Sequence, residues 1–259
     1  MRWRLGVVGS PIAHSLSPQL HEAALRLCGL DGASERWEVT EHEANLLRSA
    51  MGSRFDALSV TMPLKERALE LCDDVDAVAQ RIGAVNSLVW REGRIMGTNT
   101  DGRGLLAAIG HEFGWSADGA HVVVLGTGGA AKSIVDACVE AGSASVSVHG
   151  RNEAAVAALR EKYDRVRDEA VVYRPIDLIV NTVPTSGRTP TADTLNGVTV
   201  DTVAVDVTYD TGRSAWLGTH AALGYRTQDG MPMLAHQAAL QASWWWGIPV
   251  DGARLLEAL

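Results

Sequence analysis

Short apolar runs alternate with segments of helical periodicity along roughly the first hundred residues of the chain. Such alternation is typical of an α/β unit in which crossover helices join parallel strands. The predicted strands and helices of this unit are, in order, Leu5 to Val8, Gln19 to Cys28, Arg36 to Val39, Ala44 to Met51, Ala57 to Val60, Lys65 to Leu71 and Val75 to Ile82.

The first unit is predicted to close with a hairpin. Ser87 to Trp90 and Arg94 to Gly97 are strand-like and meet at Glu92-Gly93, which favours a tight turn at the edge of the sheet. The polar segment Gly97 to Gly102 follows, and a second alternation begins after it. We therefore place a domain boundary in this segment.

The second alternation contains strand-like runs at Ala144 to Val148, Leu178 to Val180 and Val203 to Val207. The apolar stretch Met233 to Trp246 is too long for a strand and predicts a helix that packs back onto the first domain. Three consecutive tryptophans end it and cannot all face one side of a helix, so at least one indole is expected at a domain or subunit surface.

A glycine-rich turn, Gly126 to Ala131, joins a predicted strand to a predicted helix. Gly126 allows a tight turn, Gly128 lets the backbone approach a diphosphate, and the small Ala131 permits close packing of helix on strand. The helix start at Gly129 and Ala130 then offers free N–H groups and partial positive charge to an anion. A plain tight turn and a methyltransferase-type nucleotide site remain alternatives for this pattern alone.

The residue at the end of the next strand indicates whether the bound nucleotide carries an extra phosphate. NAD sites usually carry an acidic residue there, whereas this chain reads Val146 to Asn152 with Arg151 and no carboxylate. An arginine suits an extra phosphate, so the pair of signals favours NADP. Taken alone, Arg151 could equally be a solvated side chain at a helix start.

Composition narrows the functional class. The chain has 259 residues, 46% of them hydrophobic, a formal net charge of -8, and no cluster of Lys and Arg. A nucleic-acid partner is therefore not expected. No secretory signal or membrane-spanning stretch is evident. The three cysteines match neither a zinc site nor a disulfide framework, so we expect a reduced, cytoplasmic protein that binds small molecules.

The candidate chemistry lies in the loops of the first domain. Lys65 starts a helix, where the macrodipole disfavours a cation, and could exchange a proton with a hydroxyl or carbonyl oxygen. Asp101 could pair with it, or could simply cap the helix from Gly102 to Ile109. Ser15 and Ser17 could bind a carboxylate, although Ser17 before Pro18 also suits a helix N-cap.

Taken together, the motifs resemble those of the shikimate and quinate dehydrogenase family, in family order over nearly the whole chain. The segments that carry the resemblance are Gly9 to Pro18, Val60 to Lys65, Gly83 to Asn86, Asn99 to Gly102, Gly126 to Ala131, and Gly230 to Ala238.

The resemblance implies reversible, NADP-linked reduction of 3-dehydroshikimate to shikimate on the way to chorismate and the aromatic amino acids. It implies Lys65 as the acid/base residue, paired with Asp101. Ser15 and Ser17 would bind the substrate carboxylate. The remaining positions it assigns are Asn86, Asp101 and Gln237 for the ring hydroxyls, Thr61 and Tyr209 for the substrate wall, and Gly230 for backbone near the nicotinamide.

The family fold implies an α/β substrate-binding domain, residues 1–100 and 231–259, and a Rossmann-type NADP-binding domain, residues 101–230. The C-terminal helices would return to the first domain, and the cleft would close around the ligands. Oligomeric state, monomer or homodimer, stays open.

Two departures from the family pattern concern the cofactor. Gly150-Arg151-Asn152 stands where the family commonly has Asn-Arg-Thr, which keeps the arginine but loses one polar contact to the adenosine phosphate. The preference for NADP is therefore expected to be weaker than is usual in the family. The segment Asn181 to Gly187 also differs, so the loop on the nicotinamide side is expected to have a different shape. A quinate-preferring paralogue and a metabolite-binding regulator without turnover are the alternative functions.

Overall fold

The structure is a computed structural model that describes residues 2–167, 175–183, 198–209 and 214–259. The chain divides into two compact units. The first unit comprises Met1–Gly104 and Leu234–Leu259, and the second comprises Leu105–Met233. The limits predicted from the sequence lie a few residues from these.

The described elements follow in this order: β1 (Arg2–Gly9), α1 (Ser17–Leu27), β2 (Asp31–Glu38), α2 (Leu46–Ala50), β3 (Ala57–Val60), α3 (Lys65–Leu71), β4 (Asp74–Val75), α4 (Ala77–Ile82), β5 (Ser87–Arg91), β6 (Arg94–Thr98), α5 (Asp101–Phe113), β7 (His121–Leu125), α6 (Gly129–Glu140), β8 (Ser145–His149), α7 (Glu153–Lys162), β9 (Val166–Arg167), β10 (Ile176–Asn181), β11 (Val198–Asp206), α8 (Ala215–Ala222), β12 (Arg226–Gln228), α9 (Gly230–Trp246) and α10 (Gly252–Glu257).

The first unit is built on a six-stranded mixed sheet with the order β2-β1-β3-β5-β6-β4. Strands β1, β2 and β3 pair in parallel, whereas β5 is antiparallel to both β3 and β6. The predicted hairpin forms, but its predicted position at the edge was wrong, because the two-residue strand β4 pairs with β6 on the outer side. Hydrogen bonds from Asp73 N to Ile95 O and from Ile95 N to Asp73 Oδ2, both 2.8 Å, hold the chain there.

The segment Val75 to Ile82 is likewise divided between a strand and a helix. Val75 belongs to β4, and α4 begins at Ala77. Asp76 separates the two, since its carboxylate accepts a hydrogen bond of 2.8 Å from Ala79 N and caps the helix.

From Leu234 onward, helix α9 packs within the first unit, as the sequence predicted. Its alanines, among them Ala235, Ala238 and Ala242, are buried against Leu20 and Ala23 of α1. Small side chains on both helices allow close approach of the two backbones. The return of the C-terminal helices to the first unit is therefore confirmed.

The tryptophan run at the end of α9 contributes to the same unit. Trp245 is buried and donates from Nε1 to Ser87 Oγ at 2.8 Å. Trp244 and Trp246 are half-buried, and Trp246 packs edge-on against Trp3. That one of these indoles lies at a domain or subunit surface stays a prediction.

The second unit contains a parallel six-stranded sheet with the order β12-β11-β10-β7-β8-β9. Its central strands, with Val122 and Val124 on β7, are buried under α6, where Ile134 and Val135 face the sheet. A parallel sheet with buried apolar strands and a glycine turn after β7 is the doubly wound arrangement that binds nucleotides. The predicted α/β fold is confirmed.

Within the described ranges, no helix combines the length and apolar character needed to cross a membrane.

Candidate active site

Lys65 and Asp101 form an ion pair in the first unit. Lys65 is the first residue of α3, and its Nζ lies 2.6 Å from Asp101 Oδ2. The Lys65 side chain is 17% exposed and that of Asp101 is 7% exposed, so the pair is shielded but reachable. Asp101 supplies the negative charge that an ammonium at the positive end of a helix requires. Thr61 lies in the same β3–α3 loop and is half-buried.

Asp101 does not cap α5, which corrects one of the alternatives above. The helix begins at Asp101 itself, whose N–H donates to Asn99 Oδ1 at 3.1 Å. Asn99 is in turn anchored by a 3.0 Å hydrogen bond from its Nδ2 to Ala84 O. The carboxylate is therefore left for Lys65. Sequence reasoning missed Asn99, although an asparagine shortly before a helix is a recognised N-terminal signal.

Asn86 joins this ion pair to helix α9. It is 1% exposed, and its Oδ1 accepts a 2.9 Å hydrogen bond from Thr100 N. Its Nδ2 donates to Asp101 Oδ1 at 2.6 Å, to Gln237 Oε1 at 3.0 Å and to Thr100 Oγ1 at 3.1 Å. The two N–H groups of the Asn86 amide are thus shared among three acceptors, so a substrate hydroxyl can join these acceptors or replace one of them.

A series of buried, hydrogen-bonded polar side chains extends from Gln237, and sequence reasoning missed it. Gln241 donates from Nε2 to Gln237 Oε1 at 3.0 Å and accepts at Oε1 from Ser59 Oγ at 2.6 Å. Ser59 contacts His21 Nε2, and His21 Nδ1 contacts Ser34 Oγ, both at 2.8 Å. The spacing of Gln237 and Gln241 on one helix face is a signal that could have identified the second glutamine. Nothing local marks His21, because it lies on the apolar face of α1.

Ser15 and Ser17 also lie in the first unit, 4% and 5% exposed. Ser15 Oγ donates to Ser17 Oγ at 3.2 Å and accepts from Ser17 N at 3.3 Å. The capping alternative for Ser17 was wrong, since Leu16 occupies the N-cap and α1 starts at Ser17. Arg36 Nε donates to Ser15 O at 2.8 Å and fixes the loop, so both hydroxyls are held side by side.

The glycine turn of the second unit fits a diphosphate. Gly126 has φ of +119°, and a Cβ there would collide with Thr182 Oγ1, which is held by a 2.7 Å hydrogen bond to Leu125 O. A Cβ on Gly128 would meet nothing within 4 Å, so this side of the turn is open. Gly128 is the N-cap of α6, whose first N–H groups, at Gly129 and Ala130, have no acceptor within the helix.

The turn after β8 carries the arginine that is predicted to bind the extra phosphate of NADP. Arg151 is exposed, and Asn152 caps α7 by accepting from Ala155 N at 3.0 Å. The asparagine that departs from the family pattern thus has a structural task. Burial, together with the cation of Arg160, lowers the pKa of His149 at the end of β8, so His149 is neutral near pH 7.

The last two of the predicted site residues, Tyr209 and Gly230, belong to the second unit. Tyr209 follows β11 and is half-buried. Gly230 opens α9, its N–H donates to Thr208 O at 2.9 Å, and a Cβ there would collide with Val207 O. Residues 184–187 of the altered nicotinamide-side segment lie outside the described residues.

A parallel nucleotide-binding sheet in one unit and a lysine–carboxylate pair beside an amide cluster in the other define a nicotinamide-nucleotide-dependent oxidoreductase. The family described as shikimate dehydrogenase substrate binding domain matches residues 7–88. The shikimate dehydrogenase (NADP(+)) of Exiguobacterium sp. is 36% identical over 98% of this chain and 98% of its own.

Solved structures agree. Shikimate 5-dehydrogenase from Thermus thermophilus, in complex with NADP(H) and shikimate, has a TM-score of 0.87 and 35% identity, and the match covers 100% of this chain and 98% of that one. The 5-ketofructose reductase of a Gluconobacter species has a TM-score of 0.81 and 27% identity over 98% and 96%. The chain belongs to the shikimate dehydrogenase family. It is an NADP-dependent oxidoreductase.

Proposed function

We propose that this protein interconverts 3-dehydroshikimate and shikimate with NADP, and that Lys65 exchanges the proton. The observation that carries the proposal is the group Lys65, Asp101, Asn86 and Gln237, which are linked by hydrogen bonds of 2.6 to 3.0 Å in the first unit. It combines one proton-transfer group with amides that match the hydroxyls of a cyclic polyol.

Lys65 acts on the oxygen of the reacting carbon. In the direction of reduction, its ammonium donates a proton to the carbonyl oxygen, which becomes the hydroxyl of shikimate. In the direction of oxidation, the same nitrogen removes the hydroxyl proton. Asp101 holds Nζ in place at 2.6 Å. The cofactor, when bound, would supply the hydride as NADPH in the reductive direction and accept it as NADP⁺ in the oxidative one.

The substrate carboxylate is assigned to Ser15 and Ser17. Their two hydroxyls lie 3.2 Å apart and are largely buried, so each can donate to one carboxylate oxygen. Thr61 and Tyr209 are assigned to the wall of the pocket, and Gly230 to backbone near the nicotinamide.

The cofactor is assigned to the turn after β7 and to the residue that follows β8. The N–H groups at the start of α6 suit the diphosphate, and the open space at Gly128 allows it to approach. Arg151 suits the 2′-phosphate of adenosine, because guanidinium pairs with phosphate through two hydrogen bonds.

The fold alone does not fix the substrate, since a 5-ketofructose reductase shares it. The test is a comparison of initial rates with shikimate and quinate, each with NADP and NAD, at mildly alkaline pH. We expect the highest kcat/KM with shikimate and NADP. A preference for quinate with NAD would support the paralogue instead.

The same experiment tests the regulator alternative. Shikimate binding in calorimetry without any NADPH formation would indicate a protein that has kept its pocket and lost turnover. The intact Lys65–Asp101 pair favours turnover, because a binding protein needs no group for proton transfer.

A further inference from the structure

Three buried residues behind the proposed site, Gln241, Ser59 and His21, are 1%, 4% and 1% exposed and lie outside the group assigned to substrate. They form a continuous polar chain that ends at Gln237. Such a chain in an apolar interior is costly unless every member is satisfied. Here each member has hydrogen-bond partners, so the chain fixes the orientation of the groups that it joins.

The direction of the hydrogen bonds can be derived from one fixed end. Gln241 Nε2 lies 3.0 Å from the backbone oxygen of Asn86, which can only accept, so this end of the Gln241 amide must be the nitrogen. Its second N–H then donates to Gln237 Oε1. Asn86 Nδ2 donates to the same oxygen, so the Gln237 amide is fixed with its oxygen inward.

The other end of the Gln241 amide determines the histidine tautomer. Gln241 Oε1 must accept the hydroxyl proton of Ser59. Ser59 Oγ is then left to accept from His21 Nε2, so Nε2 carries the proton and Nδ1 accepts from Ser34 Oγ. Complete burial lowers the pKa of His21 to about 3, which keeps the ring neutral, with a single N–H.

We propose that Gln241, backed by Ser59 and His21, is a positioning residue that forces Gln237 to present its Nε2 donors to the substrate. This inference rests on the proposed function, since it takes Gln237 as a substrate contact. Among the described residues, none accepts a hydrogen bond from Gln237 Nε2, and Gln237 is 7% exposed.

The consequence for specificity is a site that demands an oxygen acceptor at the ring position facing Gln237. A buried donor left without a partner carries a desolvation cost, so an analogue lacking that hydroxyl is rejected. If the amide could rotate, Gln237 Oε1 could face the ligand, and the discrimination would weaken. The chain of hydrogen bonds therefore acts on substrate affinity and selectivity, with little effect on proton transfer at Lys65.

A double-mutant cycle with Gln241→Met, Gln237→Met and the double variant tests the coupling. We expect Gln241→Met to raise the KM for shikimate about tenfold, with kcat changed less than about threefold, and to add nothing in the Gln237→Met background. The matched control is Ser243→Ala on the same helix, whose hydroxyl donates to Ala239 O at 2.7 Å, accepts from Val250 N at 2.9 Å and lies outside the polar chain. The KM of this control variant for shikimate should stay at the wild-type value.

An equal KM increase in both backgrounds, or a similar increase in the control, would overturn the proposal, since it would indicate a general loss of structure.

Nitrogen NMR of the wild-type protein without ligand provides a readout independent of activity. His21 should be protonated at Nε2 only, from pH 5 to 8. Protonation at Nδ1 would overturn the derived direction. If Gln237→Met changed neither KM nor kcat while the Nε2–H tautomer was observed, the proposed role of Gln237 would fail and the positioning role with it.

Discussion

Lys65 Nζ lies 2.6 Å from Asp101 Oδ2, although the two residues begin different helices and are 36 positions apart in the chain. Helix α3 presents the amine at its first residue, and Asn99 holds the backbone at the start of α5 so that the carboxylate of Asp101 points back. The other oxygen of Asp101 accepts from Asn86 at 2.6 Å. Each oxygen of Asp101 thus has its own donor, which fixes the position of the amine.

Replacing Lys65 with alanine should abolish most of the turnover. We expect kcat to fall at least about a hundredfold, the usual scale for a lost acid/base group, while shikimate binds within about tenfold of wild type. Stopped-flow NADPH absorbance and calorimetry measure the two quantities. Arg67→Ala on the same helix, a half-buried residue paired with Glu70, is the control and should leave both unchanged. Normal turnover in Lys65→Ala would remove Lys65 from the mechanism.

Replacing Asp101 with asparagine should misplace the amine. The asparagine amide has one oxygen and one NH2 group in place of the two carboxylate oxygens. Its NH2 group would therefore face either Lys65 Nζ or Asn86 Nδ2, both of which are donors. We expect kcat to fall about tenfold to a hundredfold, because Nζ loses its charged partner. Steady-state rates with saturating shikimate and NADP measure it. Rates equal to those of wild type would show that the ion pair is dispensable.

Replacing Arg151 with glutamine should weaken discrimination between the two cofactors. The guanidinium is exposed, so we expect a rise of about tenfold in the KM for NADP and almost no change for NAD, which lacks the 2′-phosphate. The measurement is kcat/KM with each cofactor. Arg165→Gln is the control, since Arg165 donates to Gly142 O at 3.1 Å and has no assigned role at the nucleotide. A parallel loss with NAD and NADP would argue against phosphate recognition by Arg151.

His21 should make the protein less stable in acid. Burial lowers its pKa from 6.5 to about 3 in the folded state, so the unfolded chain takes up a proton first as the pH falls. The stabilisation is complete above pH 6.5 and is lost toward pH 3, at up to about 1.4 kcal/mol per pH unit. Urea unfolding at pH 7, 5.5 and 4.5 measures the free energy of unfolding.

The comparison for this prediction is His21→Gln, which lacks the titrating group. The difference in the free energy of unfolding between wild type and the variant should shrink as the pH falls, because only the wild type loses the contribution of the histidine. A difference independent of pH would show that folding leaves the pKa of His21 unchanged.

The alternating pattern and the glycine turn were enough to predict both α/β units, because strand and helix periods arise from neighbouring residues. The same reasoning misplaced Val75, and it could not show that β4 would cover the hairpin, since edge pairing depends on contacts between distant segments. It also allowed Ser17 and Asp101 to be helix caps. The structure excludes both roles, because each is itself the first residue of its helix.

The sequence by itself determined which chemical groups this protein possesses: a lysine at a helix start, paired serines, a glycine turn after a strand, and an arginine in place of a carboxylate. Each belongs to a local segment whose conformation follows from adjacent residues. Only the tertiary structure decided how those groups are oriented. Gln241 and Ser59 are 182 positions apart in the chain yet share a 2.6 Å hydrogen bond. Packing of α9 against the first sheet creates that contact, and the direction of an amide is set only when all its partners are in place.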